Sequence, residues 1–254
     1  MTSTTQSPRV VLITGASRGI GAATARLAAA RGYAVCVNYR VERDSADRVV
    51  AGIRDAGGRA IAVGADVSNE DDVVRLFATV DGELGTVTAL VNNAGILERQ
   101  MRVETMDAAR ITRVLATNVV GTLLCAREAI KRMSTARAGH GGAIVNLSSM
   151  AARLGAPGEY VDYAASKGAI DALTIGLAQE VAHEGIRVNA VRPGIVYTDI
   201  HASGGEAGRV DRVKAFVPMR RGGHPDEVAR AILWLLSDEA SYSTGTFIDV
   251  SGGR

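Results

Sequence analysis

Short runs of β-branched and other apolar residues recur along the chain at 10–14, 34–39, 60–64, 87–92, 143–148, 186–191 and 246–250. Between them lie longer stretches whose apolar positions repeat with helical spacing, at 20–31, 44–56, 71–80, 106–132, 163–183 and 225–236. Compact apolar runs suit strands buried on both faces, and the longer period suits helices packed on a sheet. Their alternation predicts parallel strands joined by right-handed helical crossovers. The expected fold is α/β: a doubly wound, seven-stranded parallel sheet with helices on both faces, binding its ligands beyond the carboxyl ends of the strands.

No Pro/Gly/Ser-rich linker, low-complexity tract or composition shift divides the 254 residues. One domain over 1–254 is expected, with a disordered tail at 1–8 and surface excursions at 136–142 and 198–217. A content of 47% hydrophobic and 22% charged residues is enough for one large core. The formal charge of +2, without any Lys/Arg-rich run, leaves no electrostatic footprint for nucleic acid or a membrane surface. The polar opening lacks the pattern of a secretory signal, and no apolar run approaches the ~20 residues of a membrane span. A cytoplasmic protein is expected. Cys36 and Cys125 sit far apart in apolar segments and are read as buried thiols. His140, His183, His201 and His224 are isolated, so no metal site is expected.

The first apolar run ends in Thr14-Gly15-Ala16-Ser17-Arg18-Gly19-Ile20-Gly21 and passes directly into an Ala-rich helix. Gly15 suits a tight turn, Gly19 the approach of backbone to a pyrophosphate, and Gly21 close packing on the strand. The helix start adds unpaired N–H donors. The spacing is G-x3-G-x-G rather than the G-x-G-x-x-G of most dinucleotide turns, but its place between strand and helix points to a dinucleotide. Asp66-Val67 closes the third run, where the carboxylate can accept from an adenine amino group or cap a helix. Asn92-Asn93-Ala94-Gly95 closes the fourth. An acid ending the second strand would bind a ribose 2′-OH and repel a 2′-phosphate. The chain reads Asn38-Tyr39-Arg40 there, and Arg40 with Arg18 would clamp a 2′-phosphate in bidentate fashion. NADP(H) is expected over NAD(H).

Tyr163-Ala164-Ala165-Ser166-Lys167 puts a phenol and an ammonium one helical turn apart on one face. A free phenol titrates near pH ~10, and a neighbouring ammonium is expected to pull it toward neutrality. Of 29 basic residues only Lys131, Lys167 and Lys214 are lysine, so Lys167 suits a role that needs a compact ammonium. Asn146-Leu147-Ser148-Ser149 ends the fifth run and brings a hydroxyl to the same sheet edge. Only one of Ser148 and Ser149 can face the crevice, and Ser149 is the choice made.

Taken together, Thr14–Gly21, Asn92–Gly95, Asn118, Ser149, Tyr163-x3-Lys167 and Pro193-Gly194 resemble the short-chain dehydrogenase/reductases over nearly the whole chain. The resemblance implies a Rossmann-like oxidoreductase that transfers hydride between a nicotinamide and a carbonyl or secondary alcohol. In it Ser149 polarises the substrate oxygen, Tyr163 moves the proton, Lys167 lowers the phenol pKa and holds the ribose, and Asn118 orders a water relay. It also implies that Pro193, Gly194 and Thr198 surround the nicotinamide amide, and that the long helices pack in a homotetramer or homodimer. Ser149 and Tyr163 are fourteen positions apart, one more than in most members.

The segment 150–162 resembles a bacterial subgroup with no secure substrate. Arg153, Glu159, Asp162, Tyr197 and His201 would line a pocket for a polar small molecule such as a sugar or hydroxy acid, with 198–217 as a lid. A 3-oxoacyl thioester is another substrate class. A dinucleotide sensor without chemistry competes with the enzyme, but sensing does not require the set Asn118, Ser149, Tyr163 and Lys167. A structural scaffold would lack dinucleotide affinity altogether.

Overall fold

The computed structural model describes residues 9–254, so the expectation for the tail at 1–8 lies outside the described residues. Seven strands, β1 (Val10–Ile13), β2 (Ala34–Tyr39), β3 (Ala60–Gly64), β4 (Ala89–Asn92), β5 (Gly142–Leu147), β6 (Ile186–Pro193) and β7 (Phe247–Val250), form one sheet in the order β3-β2-β1-β4-β5-β6-β7. Every pairing is parallel. Each strand lies on an apolar run of the sequence. Their side chains alternate: Val11, Ile13, Val35 and Val37 enter one core, while Val10, Leu12, Ala34 and Cys36 enter another.

Helices α1 (Gly19–Ala30) and α2 (Arg43–Asp55) cover the first face together with α10 (Pro225–Leu236). On the second face lie α3 (Glu70–Glu83), α5 (Gly121–Met133) and α7 (Val161–Val181). The helix expected over 106–132 is two helices, α4 (Ala108–Leu115) and α5, joined by a π-helical turn at Ala116–Val120. That turn holds Asn118. Three short helices had no periodic signal: α6 (Ala151–Leu154), α8 (Ile200–Ser203) and α9 (Arg209–Val213). One turn of helix is too brief for a repeat to register.

Buried polar ties fix α7 against its neighbours. At its start, Asp162 accepts from Arg110 Nε at 2.8 Å and Nη2 at 3.3 Å, and from the Tyr163 N–H at 2.9 Å. Arg110 also donates to the Arg99 carbonyl at 2.6 Å. One turn on, Ser166 Oγ accepts from Asn118 at 3.0 Å, and farther along Thr174 accepts from Asn146 of β5 at 3.0 Å. Breaking a buried ion pair on one side strands the other charge. Arg110→Met should therefore cost about 3–5 kcal/mol in denaturant unfolding, and adding Asp162→Leu should return much of it. A single variant as stable as the parent would show that the pair does not anchor α7.

Candidate active site

The turn from β1 to α1 is held by its own Thr14 and by side chains from two other segments. Gly15 has φ +60°, and a Cβ there would sit 2.9 Å from the Ala94 Cα; at Gly21 one would sit 2.6 Å from Asn93 Nδ2. Thr14 Oγ1 accepts the N–H groups of Asn93 and Ala94 at 3.0 Å, and Asn93 Nδ2 donates to the Thr14 and Gly15 carbonyls at 2.9 Å. Asn38, buried at the end of β2, accepts from Gly15 N–H at 3.2 Å and donates to the carbonyls of Val63 and Ala65. Helix α1 has neither a side-chain cap nor an acid in its first turn. Its N-terminal N–H groups therefore have no partner within the helix and present partial positive charge to the crevice.

This turn opens into a cavity of about 550 Å³ at the carboxyl ends of the strands. Of the residues expected to hold cofactor or perform chemistry, all line it except Gly21 and Asn118. Gly21 packs behind the turn against Asn93 and Gly15. Asn118 is buried with its side chain fully engaged: Oδ1 accepts the Ile96 N–H at 2.8 Å, and Nδ2 donates to the Ile96 carbonyl and Ser166. A Cβ on Gly95 would meet Asn118 Oδ1 at 3.4 Å and Lys167 Nζ at 3.6 Å. Both are ordinary contact distances, so Gly95 lies beside Asn118 and Lys167 without being forced to be glycine by space.

Ser148 and Ser149 lie just beyond β5 and both line the cavity, so the expectation that only one of them faces it does not hold. Ser148 is buried and donates to the Lys167 carbonyl at 3.2 Å, whereas Ser149 Oγ accepts the Ala151 N–H at 3.1 Å and lies near enough to the Tyr163 phenol to favour its ionised form. The fourteen-residue spacing is absorbed by α6 and the turn after it, where Gly155 has φ +75°. Lys167 donates to the Leu147 carbonyl at 2.6 Å, and its Nζ lies 5.6 Å from the Tyr163 ring centre. Burial lowers the ammonium to a pKa of about 8, with Asp171 opposing. The phenol departs from expectation. Desolvation raises its pKa, and Ser149 only partly offsets this. An ammonium engaged by Leu147 and shifted toward neutrality does not deliver the lowering expected of it.

Asp66 does not cap a helix, since Asn69 caps α3 through the Asp72 N–H. Instead it accepts the Ser68 N–H and hydroxyl at 2.9 and 2.7 Å and pairs with Arg40 at 3.6 Å. Arg18 has no ion-pair partner among the described residues and is exposed at the cavity. Three residues expected in the substrate pocket face elsewhere. Asp162 is buried on Arg110, Arg153 pairs with Asp249 at 3.0 Å, and Tyr197 stacks on His224 at 5.4 Å and bonds Asp211. Glu159 and His201 do line the cavity, joined there by Tyr160 and Arg209, which sequence reasoning missed. Arg209 and Arg110 gave no signal because their partners lie 50 and 52 residues away. Asn38, which also lines the cavity, was missed as well; a lone amide one place before the end of the apolar run 34–39 is the signal that could have found it.

The family model described as Enoyl-(Acyl carrier protein) reductase matches residues 15–254. A protein of Escherichia coli K12 called Uncharacterized oxidoreductase YgfF is 60% identical over 96% of this chain and 99% of its own length. The chain belongs to the short-chain dehydrogenase/reductase family. Another relative, the cis-4-hydroxycyclohexanecarboxylate dehydrogenase of Sinomonas cyclohexanicum, is 42% identical, with 96% of each chain covered. The crystal structure of a dehydrogenase/reductase from Sinorhizobium meliloti 1021 superposes with TM-score 0.89 at 30% identity, over 98% of this chain and 95% of that one. The protein is therefore a short-chain dehydrogenase/reductase, and membership implies a nicotinamide dinucleotide. The glycine cradle, the uncapped α1 and the exposed arginines beside it fit such a ligand. Among the described residues no helix is long and apolar enough to cross a membrane.

Burial of Lys167 has a measurable consequence in the protein without dinucleotide. Its ammonium is expected to titrate near pH 8, against about 10.4 for a free lysine. Because the unfolded chain keeps that proton to higher pH, this residue adds stability as pH rises above about 8 and withdraws it as pH falls through 8. Carbon-13 labelling at lysine yields three signals to follow by NMR, since the chain has only Lys131, Lys167 and Lys214. All three midpoints lying above pH 10 would contradict the assignment.

Proposed function

We propose that this chain is an NADP(H)-dependent oxidoreductase acting on a small-molecule carbonyl or secondary alcohol, with Tyr163 as its general acid and base. The observation that carries the proposal is the convergence of Ser149, Tyr163 and Lys167 on the cavity that the glycine turn opens into. A bound nicotinamide dinucleotide supplies or accepts the hydride. Tyr163 gives its phenolic proton to the substrate oxygen in reduction and takes it back in oxidation. Ser149, which lines the cavity beside the phenol, donates to the same substrate oxygen and holds it in place. Lys167 contacts the ribose and places positive charge beside the phenol once that proton has left. Asn118 is assigned to a water relay leading to Lys167; with its amide committed to Ile96 and Ser166, its part in that relay is to hold the wall beside Lys167 in place.

Gly15, Ser17, Gly19, Ile20 and the start of α1 are the proposed diphosphate site, with Gly21 packed behind. Asp66, Val67, Asn93, Ala94 and Gly95 are assigned to the adenosine end, Tyr39 to the same wall, and Pro193, Gly194 and Thr198 to the nicotinamide amide. Arg18 and Arg40 support NADP(H) over NAD(H): both are exposed at the cavity, and no carboxylate ends β2. Residues 198–217, which carry α8 and α9, act as the lid of a single domain. Exposed Leu123 and Ile175 on the long helices, with Val120 in the turn before α5, support a homotetramer or homodimer, and two buried free cysteines support a cytoplasmic setting. The named substrate of the Sinomonas relative is a secondary alcohol, which supports chemistry between CH–OH and C=O. A relative from Synechocystis called 3-oxoacyl-[acyl-carrier-protein] reductase, 40% identical over 98% of each chain, supports a second substrate class, 3-oxoacyl thioesters.

Tyr163→Phe should lower kcat by about 10²–10⁴-fold, the usual contribution of a positioned proton donor, with dinucleotide affinity retained. Wild-type kcat in that variant, with chemistry limiting, would remove Tyr163 from the mechanism. Arg18→Ala with Arg40→Ala should raise KM for NADPH by about 10–100-fold and leave KM for NADH nearly unchanged. Equal effects on both would defeat the 2′-phosphate assignment.

A further inference from the structure

We propose that the lid end of the cavity selects a neutral carbonyl or secondary alcohol with an apolar body, and rejects substrates carrying a carboxylate, because its buried arginine is already neutralised. This rests on the oxidoreductase reading above and narrows it. Four arginines line the cavity. Arg18 and Arg40 flank the glycine turn and Arg254 is exposed, leaving Arg209, only 8% exposed, as the buried one.

Arg209 has little capacity for another anion. Its Nη1 donates to Glu159 Oε1 at 2.9 Å and to Glu206 Oε2 at 3.4 Å, while Nη2 donates to Glu159 Oε2. Its guanidinium also lies 5.2 Å from the centre of the Tyr160 ring. Glu206 is held in turn by Arg212 at 2.8 Å and by Gln100 at 2.7 Å. Two carboxylates and two guanidinium groups thus cancel. The arginine contacts keep Glu159 below its ordinary value and bring Glu206 to about 2, so both stay ionised through the neutral range.

The remaining buried polar side chain is His201, 8% exposed on α8, while the exposed Asp199 just before that helix brings a further negative charge to the cavity. Its Nε2 lies 3.0 Å from the Val196 carbonyl, a contact that needs N–H at Nε2 and leaves Nδ1 as an acceptor. Nδ1 is buried without a partner. Burial and the nearby Arg209 lower the ring's pKa, which keeps it neutral. The rest of this end is apolar: Leu97, Met150, Leu154, Val196 and Ile200 line it with the Tyr160 ring. Tyr160 and Leu97 converge on Gly204, where a Cβ would lie 3.0 Å from each. A carboxylate entering here loses its water and meets a paired arginine, an acceptor nitrogen and hydrocarbon.

The test uses methyl 4-oxocyclohexanecarboxylate and its free acid, which share a ketone and ring and differ in charge. Binding is measured by calorimetry on the full chain with NADP⁺, which cannot reduce a ketone, and reduction is followed separately with NADPH. The ester should bind at least tenfold more tightly than the acid. Glu159→Gln with Glu206→Gln, confirmed folded by circular dichroism, should release Arg209 and narrow that ratio at least fivefold by strengthening acid binding. Equal or tighter binding of the acid by the wild-type protein, or no detectable binding of the ester, overturns the proposal whether or not the double variant folds. An unchanged ratio in a folded double variant overturns the role of Arg209. Selective ester binding without NADPH-dependent reduction would instead count against the oxidoreductase reading and leave the selectivity standing.

Discussion

The registration of α7 on the sheet is the constraint on which the rest of the site depends. A helix packed by hydrocarbon alone can slide or rotate at modest cost, whereas a buried polar pair has one good geometry and is expensive to leave unmade. Asp162, Ser166 and Thr174 each find a buried partner on a different element: α4, the π-helical turn and β5. With those contacts made, Tyr163 and Lys167 are carried to the end of β5, where Leu147 receives the ammonium and Ser149 meets the phenol. The π-helical turn belongs to the same arrangement, since the extra residue in that turn aims Asn118 at both Ile96 and Ser166.

The two ends of the cavity are made from different materials. At the glycine turn, backbone groups and small residues dominate, held by Thr14, Asn38 and Asn93; the parallel sheet supplies the location, because β1 has β2 on one side and β4 on the other. At the lid end, polar and charged side chains from three sequence-distant segments knit the wall: Gln100, Glu159, and the group Glu206, Arg209 and Arg212. The first end suits one ligand recognised through its backbone contacts. The second is a mosaic of side chains whose character can change one residue at a time.

That difference explains what was legible in the sequence. Strands β1 to β7 and the long helices announced themselves through period and composition, because each is set by its own residues and a common core. The glycine turn and Tyr163-x3-Lys167 were legible because their partners are local or lie at a predictable sheet edge. Arg110 and Arg209 were not, since an arginine in an arginine-rich chain looks like solvated charge until a carboxylate some fifty residues away is brought beside it. Asp162 was misread for the same reason, as a pocket residue rather than the buried partner of Arg110. The Tyr163 phenol was misjudged differently: a charge partner can be read from spacing, but the desolvation that outweighs it depends on the whole surrounding wall.

The two hydrophobic clusters meet only through the sheet that separates them. The Glu159, Glu206, Arg209 and Arg212 assembly belongs to neither. Substitutions there leave the packing around Ile13 or Phe77 untouched, so their effects on stability should be nearly additive with changes in either core. In evolutionary terms the fold is modular: Tyr163 and Lys167 are fixed by α7 and the sheet, while the charged wall across the cavity can drift without eroding the foundation beneath it. A scaffold divided in this way can retain its chemistry while acquiring new specificities.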